Sequence, residues 1–159
     1  MTLMRWFILG LAIAGCKSGP QLAPAVAQAP AFTAPLLGGG EQVFDPSSLQ
    51  HPTLLVFWAS WCTTCKADLP AVLEIDRAQK GHLDVLGVSV DEQLDRAELF
   101  ANEAHLPYPS VTDPKLVVSD LFNVKATPSF VLVARGGEVR HRATAIDEAL
   151  LAAIALEVQ

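Results

Sequence analysis

Residues 53–66 read TLLVFWASWCTTCK. Leu54 to Trp58 is an unbroken apolar run, the pattern of a strand buried on both faces of a sheet. Four residues on, Cys62 opens a helical stretch expected to reach about Gln79, with Leu69, Val72 and Leu73 along one side and Asp76 at its edge. Two cysteines three apart at a helix N-terminus can close a small disulfide. The first faces backbone N–H groups that have no helical partner and the positive end of the helix dipole. Both stabilise a thiolate, the attacking species in disulfide exchange. Cys65 lies one turn further in, where it should be more buried and poised to resolve a mixed disulfide.

A CxxC could also be half of a zinc site. The one other cysteine is Cys16, and His51, His82, His105 and His141 stand at no ligand spacing. No metal and no cofactor are expected, and the histidines read as surface or core residues.

Outward from this segment the chain alternates between strand and helix patterns. Glu41–Phe44 reads as a short leading strand, Leu83–Val90 as a second buried strand, and Asp91–Ala104 as a helix. Asp113-Pro114 can start a short helix through Phe122, with proline at its first position. Ser129–Ala134 is a third central strand, Arg135-Gly136-Gly137 a turn, and Glu138–Ala143 the returning strand of a hairpin. Thr144-Ala145-Ile146-Asp147 fits a capping box before a final helix whose core face is Ile146, Leu150, Ala153 and Ile154. The expected fold class is α/β, a sandwich with a mixed central sheet flanked by helices.

The chain has 159 residues, 51% of them apolar and 18% charged, which suits one globular domain. The net charge of −6 and the lack of a basic run argue against a nucleic-acid partner. The first residues, MTLMRWFILGLAIAGC, join a positive Arg5 to an apolar stretch too short to cross a bilayer, so they read as a secretory signal. Ile13-Ala14-Gly15-Cys16 resembles the lipobox of bacterial lipoproteins. That resemblance implies cleavage after residue 15 and a lipid on Cys16, and lipid carrying more than one acyl chain anchors stably. Residues 17–40 are rich in Ala, Pro and Gly and read as a tether. The expected organisation is a signal over 1–15, a lipidated cysteine and tether over 16–40, and a globular domain over 41–159.

FWASWCTTCK at 57–66 resembles the active-site segment of thioredoxin-like proteins. Pro70 stands five residues after the second cysteine, as in that family, and Ala126-Thr127-Pro128-Ser129-Phe130 matches its cis-proline loop. Gly87-Val88-Ser89-Val90-Asp91-Glu92, followed by a helical segment and Leu106-Pro107-Tyr108-Pro109, resembles the TlpA/ResA-like branch. The resemblance implies a thioredoxin-like sandwich over 41–159 and a redox-active Cys62–Cys65 pair. It also implies a cis Thr127–Pro128 bond and client contacts at Trp61, Thr127 and Pro128. Proline offers no N–H beside the thiols, which leaves the Thr127 peptide group to pair with an extended client. Two features depart from the pattern: the pair between the cysteines is Thr63-Thr64, with no proline, and the upstream acid of thioredoxin itself is missing. Thioredoxin's buried aspartate six residues before the first cysteine is Val56 here. The branch instead tends to carry an acid three residues after the second cysteine, which is Asp68 here. Asp68 is then either a proton relay for the cysteines or a first-turn acid favoured by the helix dipole.

The expected activity is that of a tethered extracytoplasmic thiol–disulfide oxidoreductase. It would reduce disulfides of exported proteins, with cytochrome c maturation as one setting. Its partners would be protein thiols and disulfides, a membrane or extracytoplasmic thiol electron donor, and the membrane itself through Cys16. A peroxidase would need a different cysteine setting: Ala59 stands where peroxiredoxins place a threonine. An oxidant of the DsbA type would carry a larger helical insertion, and a copper carrier wider cysteine spacing. The reading from another class is a tethered binding or chaperone module with little redox turnover.

Overall fold

The computed structural model describes residues 27–159. Five strands form the main sheet in the order β5-β4-β3-β6-β7. The central strand β3 (Thr53–Trp58) runs parallel to β4 (Asp84–Ser89), which runs parallel to β5 (Ser110–Thr112). On its other side β3 pairs antiparallel with β6 (Ser129–Val133), and β6 with β7 (Val139–Ala143). The sheet is therefore mixed, and β3 is buried at every position, as its apolar run requires.

The two faces of the sheet collect separate cores. Leu54, Val56 and Trp58 point towards α1 (Thr63–Ala78), α2 (Leu94–Glu103) and α4 (Glu148–Glu157), meeting Val72, Ile75, Ala97, Leu150 and Ile154. Leu55 and Phe57 point the other way, onto Val118 and Phe122 in and after α3 (Val117–Leu121). Gly87 is the close approach between β3, β4 and β5: a Cβ there would overlap Ser110 Oγ and stand 2.8 Å from Trp58 Nε1. Among the described residues no helix is long and apolar enough to cross a membrane.

Several elements depart from their expected bounds. The packed domain starts before Glu41. Within the stretch expected as tether, β1 (Phe32–Pro35) pairs antiparallel with β2 (Glu41–Phe44). Phe32 stacks on Phe44 at 5.1 Å between ring centres and meets Phe122 edge-on. Gly38, Gly39 and Gly40 all have positive φ and make the turn between these strands. The signal, Cys16 and the tether up to residue 26 lie outside the described residues.

The strand β5 was not expected; three residues give too little pattern to read. The short helix starts at Val117, not at Asp113. Leu116 takes a left-handed conformation, and the Asp113 carboxylate reaches forward to accept from Val118 N, Ser119 N and Ser119 Oγ. Asp113 thus accepts from the first helical donors from outside the helix, and Pro114 sits in the approach. α2 likewise begins at Leu94, since the Asp91 side chain is engaged elsewhere. In the last helix Asp147 is itself the N-cap, accepting from Leu150 N at 2.8 Å, so Thr144 opens no capping box.

Candidate functional site

The cysteines stand where β3 gives way to α1. After Trp58 the chain makes one turn, closed by Cys62 N–H donating to Ala59 O at 3.1 Å. Cys62 is the N-cap of α1, and its Sγ accepts from Cys65 N at 3.1 Å. This is the environment the spacing predicts: a sulfur facing the free N–H end of a 16-residue helix. Cys62 and Cys65 are joined as a disulfide. The expected difference in burial between them is absent in this oxidised state, since Cys62 is 6% and Cys65 8% exposed. Trp61, just ahead of the pair, is 67% exposed.

The Thr127–Pro128 bond is cis. Pro128 is buried beside Cys65, Val56 and Phe130 around a small cavity of about 20 Å³ that Asp68 and Tyr108 also line. That volume holds about one water molecule. Asp68 is the sixth residue of α1, beyond its first turn, which contains no acid. Its Oδ2 is buried with no hydrogen-bond partner among the described residues. A first-turn dipole role therefore does not fit its position. Tyr108 is 7% exposed, and its phenol is pushed well above the ordinary tyrosine range, first by burial and then by the charge of Asp76. With Val56 apolar, Asp68 is the carboxylate that shares this cavity with Cys65.

Beside Trp61 lies an open groove of about 690 Å³. Ser60, Trp61, Arg96, Leu116, Lys125 and Thr127 are among its walls. The structure thus brings Cys62, Cys65, Asp68, Trp61, Thr127 and Pro128 to one end of the sheet. Cys16 lies outside the described residues.

Sequence reasoning gave Asp91 no role of its own. Its carboxylate, 5% exposed, binds the turn before Cys62 and the end of β4. The available signal was an acid directly after a buried strand, where a charge needs partners. Tyr108 carries no sequence signal beyond its place in Leu106-Pro107-Tyr108-Pro109.

Known proteins are similar to this chain in sequence and in fold. A soluble secreted antigen of Mycobacterium tuberculosis is 29% identical over 107 residues, which are 67% of this chain and 60% of that protein. The thiol-disulfide oxidoreductase ResA of Geobacillus kaustophilus is 32% identical over 87 residues, 54% of this chain and 50% of its own. Over these matches the chain spans half to three fifths of the length of those relatives. Among solved structures, a secreted M. tuberculosis disulfide oxidoreductase homologous to E. coli DsbE superposes with a TM-score of 0.67 at 26% identity, covering 79% of this chain and 95% of that one. A Chlorobium tepidum protein assigned as the thiol:disulfide interchange protein DsbE reaches 0.75 at 26% identity, over 83% and 96%. Residues 26–142 match the AhpC/TSA family, and with its thioredoxin-like fold this chain belongs to that family.

Proposed function

We propose that this protein is a thiol–disulfide oxidoreductase working outside the cytoplasm, tethered by lipid on Cys16, and that it reduces disulfides of exported proteins. The observation that carries the reading is the Cys62–Cys65 disulfide capping α1 beside the cis-Pro128 loop. The relatives named as oxidoreductases and the secreted ones support activity and place alike.

In the reduced protein the Cys62 thiolate attacks one sulfur of a client disulfide. A mixed disulfide forms and one client thiolate leaves. Cys65, as thiolate, then attacks Cys62 Sγ, the second client sulfur leaves, and the Cys62–Cys65 bond closes. Two electrons pass to the client, whose sulfurs take up two protons. A thiol donor outside the cytoplasm returns the electrons. Asp68 takes the proton from Cys65, directly or through a water in the cavity between them. Trp61 and Thr127 line the groove in which an extended client lies, with the Thr127 peptide group pairing to its backbone. Maturation of cytochrome c would give such a reductase an exported cysteine pair as client.

The test is reduction of insulin or of an exported cysteine-pair peptide by the reduced protein, with a thiol donor supplying turnover. Multiple turnovers that vanish in Cys62→Ser support the reading. Tight client binding without turnover would point instead to a tethered binding or chaperone module.

A further inference from the structure

Asp91 is a buried charge for which dithiol exchange through Cys62 and Cys65 has no evident use. It follows β4 and is 5% exposed. Its Oδ2 accepts from Ser60 N at 2.8 Å and from Ser89 Oγ at 2.9 Å, and its Oδ1 from Ser60 Oγ at 2.6 Å. Two of these three donors belong to Ser60, 31 residues away in sequence and two before Cys62.

An acid at this place could simply start α2. That helix begins at Leu94 behind Gln93, which makes no side-chain cap. The bonds of the Asp91 carboxylate run to the turn before Cys62 and back to its own strand. One further bond, Val90 N to Trp58 O at 2.9 Å, ties the same two segments. The Ala59–Cys62 turn, which carries Trp61 and delivers Cys62 to the head of α1, is therefore held at its second residue by a carboxylate fixed to β4. A charge is buried at a cost, and the three donors offset it only while Ser60 stays in this position.

We propose that Asp91 is a positioning residue of the redox pair: by clamping Ser60 it holds the β3–α1 turn in the form that brings Cys62 and Cys65 together, and so favours their disulfide over the dithiol. The inference rests on the reading of Cys62 and Cys65 as the redox-active pair. Closing an intramolecular disulfide is a ring closure, and its equilibrium follows how far the two thiols are pre-oriented. A turn freed from Asp91 gives the dithiol form more conformations and the disulfide form few, so the pair becomes easier to reduce.

The experiment equilibrates the full chain with glutathione at a series of thiol and disulfide ratios. The Cys62–Cys65 bond is cleaved as two glutathione thiols join in one disulfide, so electrons and protons balance. The dithiol fraction is read by alkylation and mass. Asp91→Ala is expected to shift the equilibrium about tenfold towards the dithiol, as loss of bonds to a charged acceptor implies. That is about 30 mV more oxidising for a two-electron couple. Asp91→Asn keeps an acceptor for Ser60 N, and Ser60→Ala removes only the hydroxyl bond, so each is expected to give about threefold. These two variants carry the test if Asp91→Ala does not fold. Equilibria in both within 1.5-fold of the unsubstituted chain, whatever happens to thermal stability, would overturn the proposal and leave Asp91 a purely structural acid. If the unsubstituted pair never exchanges with glutathione, the reading of Cys62 and Cys65 fails instead.

Discussion

Cys62 and Cys65 are nearly equally buried as a disulfide, so the division of labour proposed for them rests on position on the helix. Cys62 caps α1 and takes the field of its free N–H groups. Cys65→Ser is expected to accumulate mixed disulfides with clients, visible on non-reducing gels, and Cys62→Ser to accumulate none. The opposite pattern would exchange the two roles. Asp68 makes the second test at this scale. Its Oδ2 is buried and the residue lines a cavity shared with Cys65, and Asp68→Asn keeps the shape while removing the charge. Exchange near neutral pH should slow at least several-fold, and alkylation of Cys62 in the reduced protein should begin at lower pH, with little change in unfolding midpoint. Unchanged rates and alkylation profiles would rule out the relay. Tyr108 gives a pH dependence with a definite sign. Burial and Asp76 raise its phenol above the ordinary value of 10.0. Its contribution to stability is complete below pH 10.0. Above that pH the unfolded chain loses the proton first, and stability falls as pH rises towards the folded value. Stability curves between pH 8 and 11 should show this loss, and Tyr108→Phe should flatten it.

The element that most changes the picture of the domain is β1. A segment rich in Ala, Pro and Gly reads as linker by composition, yet Phe32 and Ala34 are buried on the face of the sheet that also holds Phe44, Phe57 and Phe122. Phe32→Ala should cost roughly 3 kcal/mol of stability, the usual range for emptying an aromatic site in a core. Urea unfolding measures it, and a cost below about 1 kcal/mol would mean that β1 is a loose attachment. The helix starts teach the same lesson on a smaller scale. Asp113 and Asp91 both sit where a helix could begin, but Asp113 caps α3 only from outside, accepting from Val118 and Ser119, while the Asp91 carboxylate binds Ser60 and Ser89 instead. Local pattern finds the acid; only the neighbours brought in by folding decide what it binds.

For the whole molecule, the reading as a tethered exported protein depends on residues outside the described region. Cys16→Ser should release the protein from membranes or leave an uncleaved precursor, as fractionation and the N-terminal mass would report; a mature native chain that is soluble and starts elsewhere would sink the anchor. The sequence by itself determined the fold class and marked Cys62 and Cys65 as the pair that the structure joins. Leu54 to Trp58 can hide its side chains only in the middle of a sheet, CxxC after it must start a helix, and Thr127-Pro128 precedes a second buried strand. These signals are local, carried by spacing and residue type. The tertiary structure alone decided that the folded domain reaches back to β1, that Ser110–Thr112 adds a fifth strand, that Asp68 lines a cavity with Cys65 and Tyr108, and that Asp91 holds Ser60. Each of these joins residues far apart in the chain. Its energy comes from contacts that exist only after folding has brought the partners together, and no single stretch of sequence contains them.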